Sequence, residues 1–151
     1  MRYLPGDEVA ALLENLIHQP RQAQAYACDL TVAGVSALTR SGALDFGGSE
    51  YTEAEHHLLE PVWEDDPRYG WWTLSPGAYV IRFNEHMALA SDQIAFIQPH
   101  QRLMQAGGYH PSFYFRGVRD SLEVILVVSA PDLRIKENAR LSKLLVLQLG
   151  E

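Results

Sequence analysis

Glu123 is the one charged residue in the most hydrophobic run of the chain, Leu122 to Val128, and a carboxylate so placed is a candidate acid or base. Arg102 lies in the short segment His100 to Ala106, ahead of the pair Gly107-Gly108. Its planar guanidinium suits two-point binding of a phosphate. His56-His57, with carboxylates around it, invites a metal reading, but neighbouring residues of a strand face opposite sides and cannot share one ion unless the backbone turns. That stretch reads as a solvated loop. Trp63, Trp71 and Trp72 fit core or interface anchors better than a stacking platform. Cys28 has no second cysteine to pair with, and its small neighbours Ala25 and Ala27 suggest a buried thiol.

Positioning these groups requires a core, and 151 residues with 47% hydrophobic content are ordinary for one globular domain. The formal net charge of −7 gives no footprint for nucleic acid, so a polyanionic ligand would need local arginines or a bridging cation. No run approaches the roughly 20 apolar residues of a membrane span, and the N-terminus lacks the order of a signal peptide. With the single cysteine, this points to the cytoplasm, with no membrane and no nucleic-acid partner.

Val9, Leu12, Leu13, Leu16 and Ile17 recur at helical spacing behind Asp7, a candidate cap, and Gln19-Pro20 is expected to stop that helix. Alternation from Arg21 to Val35 predicts a strand, with Gly34 marking a bulge. From Thr39 to Arg68 the chain is glycine-broken and acidic, which predicts irregular surface with one or two strands. Ser75-Pro76-Gly77 is a turn signal, and the β-branched and aromatic run to Phe83 predicts a strand behind it. Further strands are expected at Ile94–Ile97, Phe113–Phe115, Leu122–Val128, Leu133–Ile135 and Leu141–Leu149, with a helical turn or two over His100–Ala106 stopped by Gly107-Gly108. Short strands at intervals of about ten residues describe a mainly β sandwich or barrel with one N-terminal helix.

The order of the C-terminal half also resembles a known family. A Pro-Gly turn opens a strand ending in Glu85, Ile94-Ala95-Phe96-Ile97 leads into an arginine-bearing helix, and Gly108-Tyr109-His110-Pro111-Ser112-Phe113 precedes Ser121-Leu122-Glu123-Val124. Ala139-Arg140-Leu141-Ser142-Lys143-Leu144 opens the last strand, and upstream Gln22 to Leu30 is similar to a segment ending in Ser-x-Asp-Leu. Together these motifs resemble the dCTP deaminase and dUTPase superfamily, in its deaminase-like branch.

The resemblance implies a dUTPase-like β-clip, one domain over residues 1–151, assembled as a homotrimer with active sites between subunits and acting on a pyrimidine deoxynucleotide. It places Glu123 as general acid and base and His110 at the position of a catalytic aspartate, with Arg102, Gln98 and Tyr109 as substrate-binding residues. It implies no tightly bound cofactor, with Mg2+ accompanying a nucleoside triphosphate. Gln98-Pro99 replaces paired serines, His110-Pro111-Ser112 replaces Asp-Pro-Gly, and Lys143 replaces a glutamine. The family's tail over the triphosphate is not seen before Glu151. A non-catalytic trimeric β-domain that binds a nucleotide or a protein partner is the alternative that these departures keep open.

Overall fold

Thirteen residues from Cys28 to Arg40 form the longest strand, and it belongs to two layers at once. The computed structural model describes residues 1–150. In chain order the elements are β1 (Arg2–Tyr3), α1 (Gly6–Leu12), β2 (Leu13–Glu14), α2 (Gln19–Gln22), β3 (Cys28–Arg40), β4 (Glu55–Leu58), β5 (Trp71–Leu74), β6 (Gly77–Phe83) and β7 (His86–Ala88). They continue with β8 (Gln93–Pro99), α3 (Gln101–Ala106), β9 (Gly108–Tyr109), β10 (Phe113–Phe115), β11 (Val118–Arg119), β12 (Glu123–Val128), β13 (Leu133–Lys136) and β14 (Arg140–Gln148). The mainly β expectation holds.

The first residues of β3 pair with β14, while Val32 to Ala37 pair with β6 and Ser36 to Arg40 take β4 on the opposite edge. Register shifts between Val32 and Gly34, where the sequence predicts a bulge. A bulge bends its strand, so β3 carries the chain from the layer β10-β8-β14 into the layer β6-β12-β9. The sheet closes around one core, in which Leu30, Ile81, Ile97, Leu126 and Leu144 are fully enclosed. Smaller sheets β11-β7-β2 and β13-β5 complete the fold.

β12 shows how the pattern places chemistry. Val124, Leu126 and Val128 point into the core, and Glu123 and Ile125 point out. All of β12 pairs with β6, but β9 covers only Val127 and Val128, so the other edge from Glu123 to Leu126 has no strand partner among the described residues.

The N-terminal helix is shorter than its spacing predicts. It ends at Leu12 because Leu13 and Glu14 pair with Met87 and His86 of β7, a tertiary pairing that overrides local preference. Pro5, with no side-chain bond, occupies the cap position assigned to Asp7, whose carboxylate instead accepts the Glu8 N–H at 3.0 Å. Pro20 opens α2 instead of stopping α1, since its missing N–H costs nothing in a first turn. The strand expected from Arg21 begins only at Cys28, after a turn closed by the Gln24 N–H on the Ala27 carbonyl at 2.8 Å.

Downstream expectations fare better. α3 ends at Gly107, whose φ of +110° and whose missing Cβ, which would lie 2.3 Å from that of Ala130, both require glycine. The acidic stretch is irregular apart from β4, and Cys28 is buried, its thiol pushed up to about 12 mainly by desolvation. Trp72 is a core residue whose indole N–H donates to the Leu59 carbonyl at 3.0 Å. Among the described residues no helix is long and apolar enough to cross a membrane.

Candidate functional site

Glu123 opens β12 opposite Arg82 of β6, on the outer face of the sheet. It lines a cleft of about 550 Å³, walled by Leu38, Tyr51, Thr52, His56, Val80 and Ile125, and an adjoining one of about 420 Å³ with Ser36, Leu58 and Arg82. The segment 42–54 roofs the first. Gly42 lets that segment close on itself, because a Cβ there would fall 2.0 Å from the Thr52 carbonyl. On the floor, Arg82 lies across Gly34, 3.3 Å from where a Cβ would stand. An exposed carboxylate beside apolar walls and an imidazole can accept a proton from water held against a ring, and the volume suits a nucleoside.

Arg102 opens into a different place. α3 is started by His100, whose Nδ1 accepts the Arg102 N–H at 3.1 Å, and burial lowers the His100 pKa so that this nitrogen is free to accept. Arg102 lines a groove of about 310 Å³ together with Arg134 and Lys136 of β13 and Arg140 of β14, over a floor that includes Trp71, Leu133 and Leu141. Four cations around one groove are a strong local exception in a chain of net charge −7. Among the described residues Arg102 makes no ion pair, whereas Arg134 pairs with Glu64, Lys136 with Asp66 at 3.1 Å, and Arg140 with Asp29 at 3.2 Å.

The other sequence-predicted residues divide between these places. Tyr109 sits opposite Val127 and so shares the outer face of Glu123, four residues further along β12. Gln98 sits opposite Lys143, which is itself opposite Asp29, and Asp29 lies 3.6 Å from His100 at the start of α3. That row ties Gln98 to the Arg102 side. His110 is 3% exposed, with Nδ1 3.0 Å from the Pro111 carbonyl and Nε2 2.7 Å from the Ser142 hydroxyl, and burial lowers its pKa. One chain therefore does not gather the five residues around one cleft.

Behind these surfaces lies a buried carboxylate that the sequence reading passed over as the end of a strand. Glu85 is fully enclosed and accepts the Thr31 N–H at 2.8 Å, the Thr31 hydroxyl, and the Gln22 amide at 3.0 Å. Burial raises its pKa, while the bonds from Thr31 and Gln22 oppose that shift. The sequence reading also missed Arg134, Lys136 and Arg140 as a group, because their groove joins segments 30 or more residues from Arg102. Charges alternating with apolar residues in Leu133-Arg134-Ile135-Lys136 were the available signal.

No protein-family model matches the chain. In structure it is similar to the 2'-deoxycytidine 5'-triphosphate deaminase of Agrobacterium tumefaciens, with a TM-score of 0.70 at 15% identity. The match covers 98% of this chain and 46% of the deaminase, so the chain spans less than half of that protein's length. The fold is thus the dUTPase-like β-clip of the dCTP deaminase and dUTPase superfamily. In sequence the chain is 32% identical over 142 residues to a Methanosarcina barkeri protein named as a probable deoxyuridine 5'-triphosphate nucleotidohydrolase, covering 93% of this chain and 80% of the relative. Proteins of the same name from Methanosarcina acetivorans and Aeropyrum pernix are 31% identical over 141 residues and 25% identical over 150, covering 92% and 95% of this chain and 80% and 87% of their own lengths. The chain belongs to the dUTPase family within that superfamily.

Proposed function

We propose that residues 1–151 form one dUTPase-like domain that hydrolyses a pyrimidine deoxynucleoside triphosphate, as a cytoplasmic homotrimer whose sites are shared between copies. The observation that carries this is the division of labour within one chain: Glu123 lines one cleft, with Tyr109 on the same outer face of the sheet, while Arg102 lines a separate cationic groove. A ring of copies, each presenting its groove to the cleft of the next, supplies both halves to one substrate and covers the open edge of β12. The names of the relatives support dUTP as the first substrate to try.

In the reaction, Glu123 takes a proton from water as the water oxygen bonds to the electrophile, and the proton passes to the leaving group. At phosphorus the leaving group is pyrophosphate; at C4 of cytosine it is ammonia. Arg102 holds phosphate, and Mg2+ enters as the counter-ion of the triphosphate oxygens. His110 acts from behind as a positioning residue, fixing Tyr109 and the following turn against Ser142. The test is release of pyrophosphate or ammonia from dUTP, dCTP and dTTP, with and without magnesium. Release of either product from one of them is the expected result, and release of neither from any of them rejects the enzyme.

A second reading, nucleotide binding without turnover, is favoured by one observation: the imidazole at the position of the family aspartate has both nitrogens engaged in the interior. Under that reading the same panel raises the melting temperature but releases nothing.

A further inference from the structure

Glu64 and Asp66 stand where anions of a ligand would stand. The segment that carries them crosses the outer side of β13, held by a two-residue bridge between Val62 and Trp71 and by the Gly70 N–H on the Glu137 carboxylate at 2.7 Å. Glu64 pairs with Arg134, and Asp66 pairs with Lys136. The charged heads of both cations also lie over the ring of Trp71, at 4.3 Å and 5.5 Å from its centre, and Trp71 itself lines the groove. The Glu64 and Arg134 side chains are about half exposed, so this is a rim contact open to exchange and not a buried pair. Arg102, which lines the same groove, has no counter-ion among the described residues.

We propose that Arg134 and Lys136 bind the outer phosphates of a nucleoside triphosphate in place of Glu64 and Asp66, and so set a preference for three phosphates over one. This rests on the proposed role of Arg102 in holding phosphate, and places Arg102 at the phosphate nearest the sugar. A monophosphate reaches Arg102 and leaves the two carboxylate pairs intact. A triphosphate extends along the groove and exchanges each carboxylate for a phosphate oxygen, a harder anion with more acceptor sites. Glu64 and Asp66 are then internal competitors that hold the two cations in place until the longer ligand arrives.

Titration calorimetry with dUTP, dUMP and inorganic triphosphate tests this. The double variant Arg134→Ala with Lys136→Ala is expected to lose about tenfold or more in affinity for dUTP and inorganic triphosphate, with dUMP changed by less than about threefold. The double variant Glu64→Gln with Asp66→Asn, which removes both charges while keeping side-chain shape and an oxygen at Asp66 for the Arg68 N–H, is expected to bind both triphosphates about three- to tenfold more tightly. Unchanged triphosphate affinity in the first variant, or weaker affinity in the second, overturns the proposal. If Arg102→Ala binds like wild type while the Arg134 and Lys136 variant does not, the two outer cations stand and the placement at Arg102 fails. If wild type binds neither triphosphate, both fall.

Discussion

The Ser142 hydroxyl lies 2.7 Å from Nε2 of His110, linking the last strand to the turn that follows β9. The Pro111 carbonyl can only accept, so Nδ1–H is the donor there, and in the neutral ring Nε2 is left to accept from the Ser142 hydroxyl. Burial lowers the folded-state pKa below the ordinary histidine value. As pH falls, the unfolded chain takes this proton before the folded one does. The stability His110 contributes is therefore complete above about pH 6.5 and is lost as pH falls toward the lower folded value. Urea unfolding at about pH 7.5 and about pH 5.5 should show a larger acid loss in wild type than in His110→Asn. Equal losses would contradict the assignment.

Glu85 is held by three donors from Thr31 and Gln22 in a site closed to water. Removing the carboxylate strands all three, so Glu85→Ala should lower unfolding free energy by about 3 kcal/mol or more. Gln22→Ala removes one of these donors, its second bond to the Asp29 carbonyl at 2.9 Å, and the two contacts its side-chain oxygen makes with the Ile17 and His18 N–H groups. Denaturant titration should show these two losses summing to more than the double variant, because the residues share a bond.

Glu123 touches no part of the core with its carboxylate, so its replacement separates chemistry from stability. Glu123→Gln should cut turnover about 10²- to 10⁴-fold while leaving nucleotide affinity and melting temperature near wild type, since an amide keeps the shape but cannot carry the proton. A variant that melts several degrees lower, or one that keeps its rate, would make Glu123 a structural or incidental strand residue.

Where the sequence predicted well, one local signal decided the outcome. The alternation of β12 put Glu123 outside, Gly107 ended α3, and Gly34 marked the bend of β3. Where it failed, a distant pairing decided. Leu13 reads as helix until β7 takes it, and Pro20 reads as a stop until it falls in the first turn of α2. Glu85 looked like any acid at a strand end, because the residues that enclose it, Gln22 and Thr31, are more than 50 positions away. The cationic groove was illegible for the same reason: Arg102, Arg134, Lys136 and Arg140 come from three elements brought together only by the fold.

Sharing of one site between copies can be read directly by mixing two impaired proteins at a substrate concentration too low to saturate the weaker binder. Arg102→Ala alone should weaken triphosphate binding about ten- to a hundredfold, more than it weakens nucleoside binding, and Glu123→Gln alone should bind without turnover. Unfolded together and refolded in equal amounts, the two should recover about a quarter of the wild-type rate, the share of sites that random assembly of a ring leaves with both residues intact. A mixture no more active than its separate components, from protein that runs as a monomer at micromolar concentration, would contradict a site built from Glu123 of one copy and Arg102 of the next.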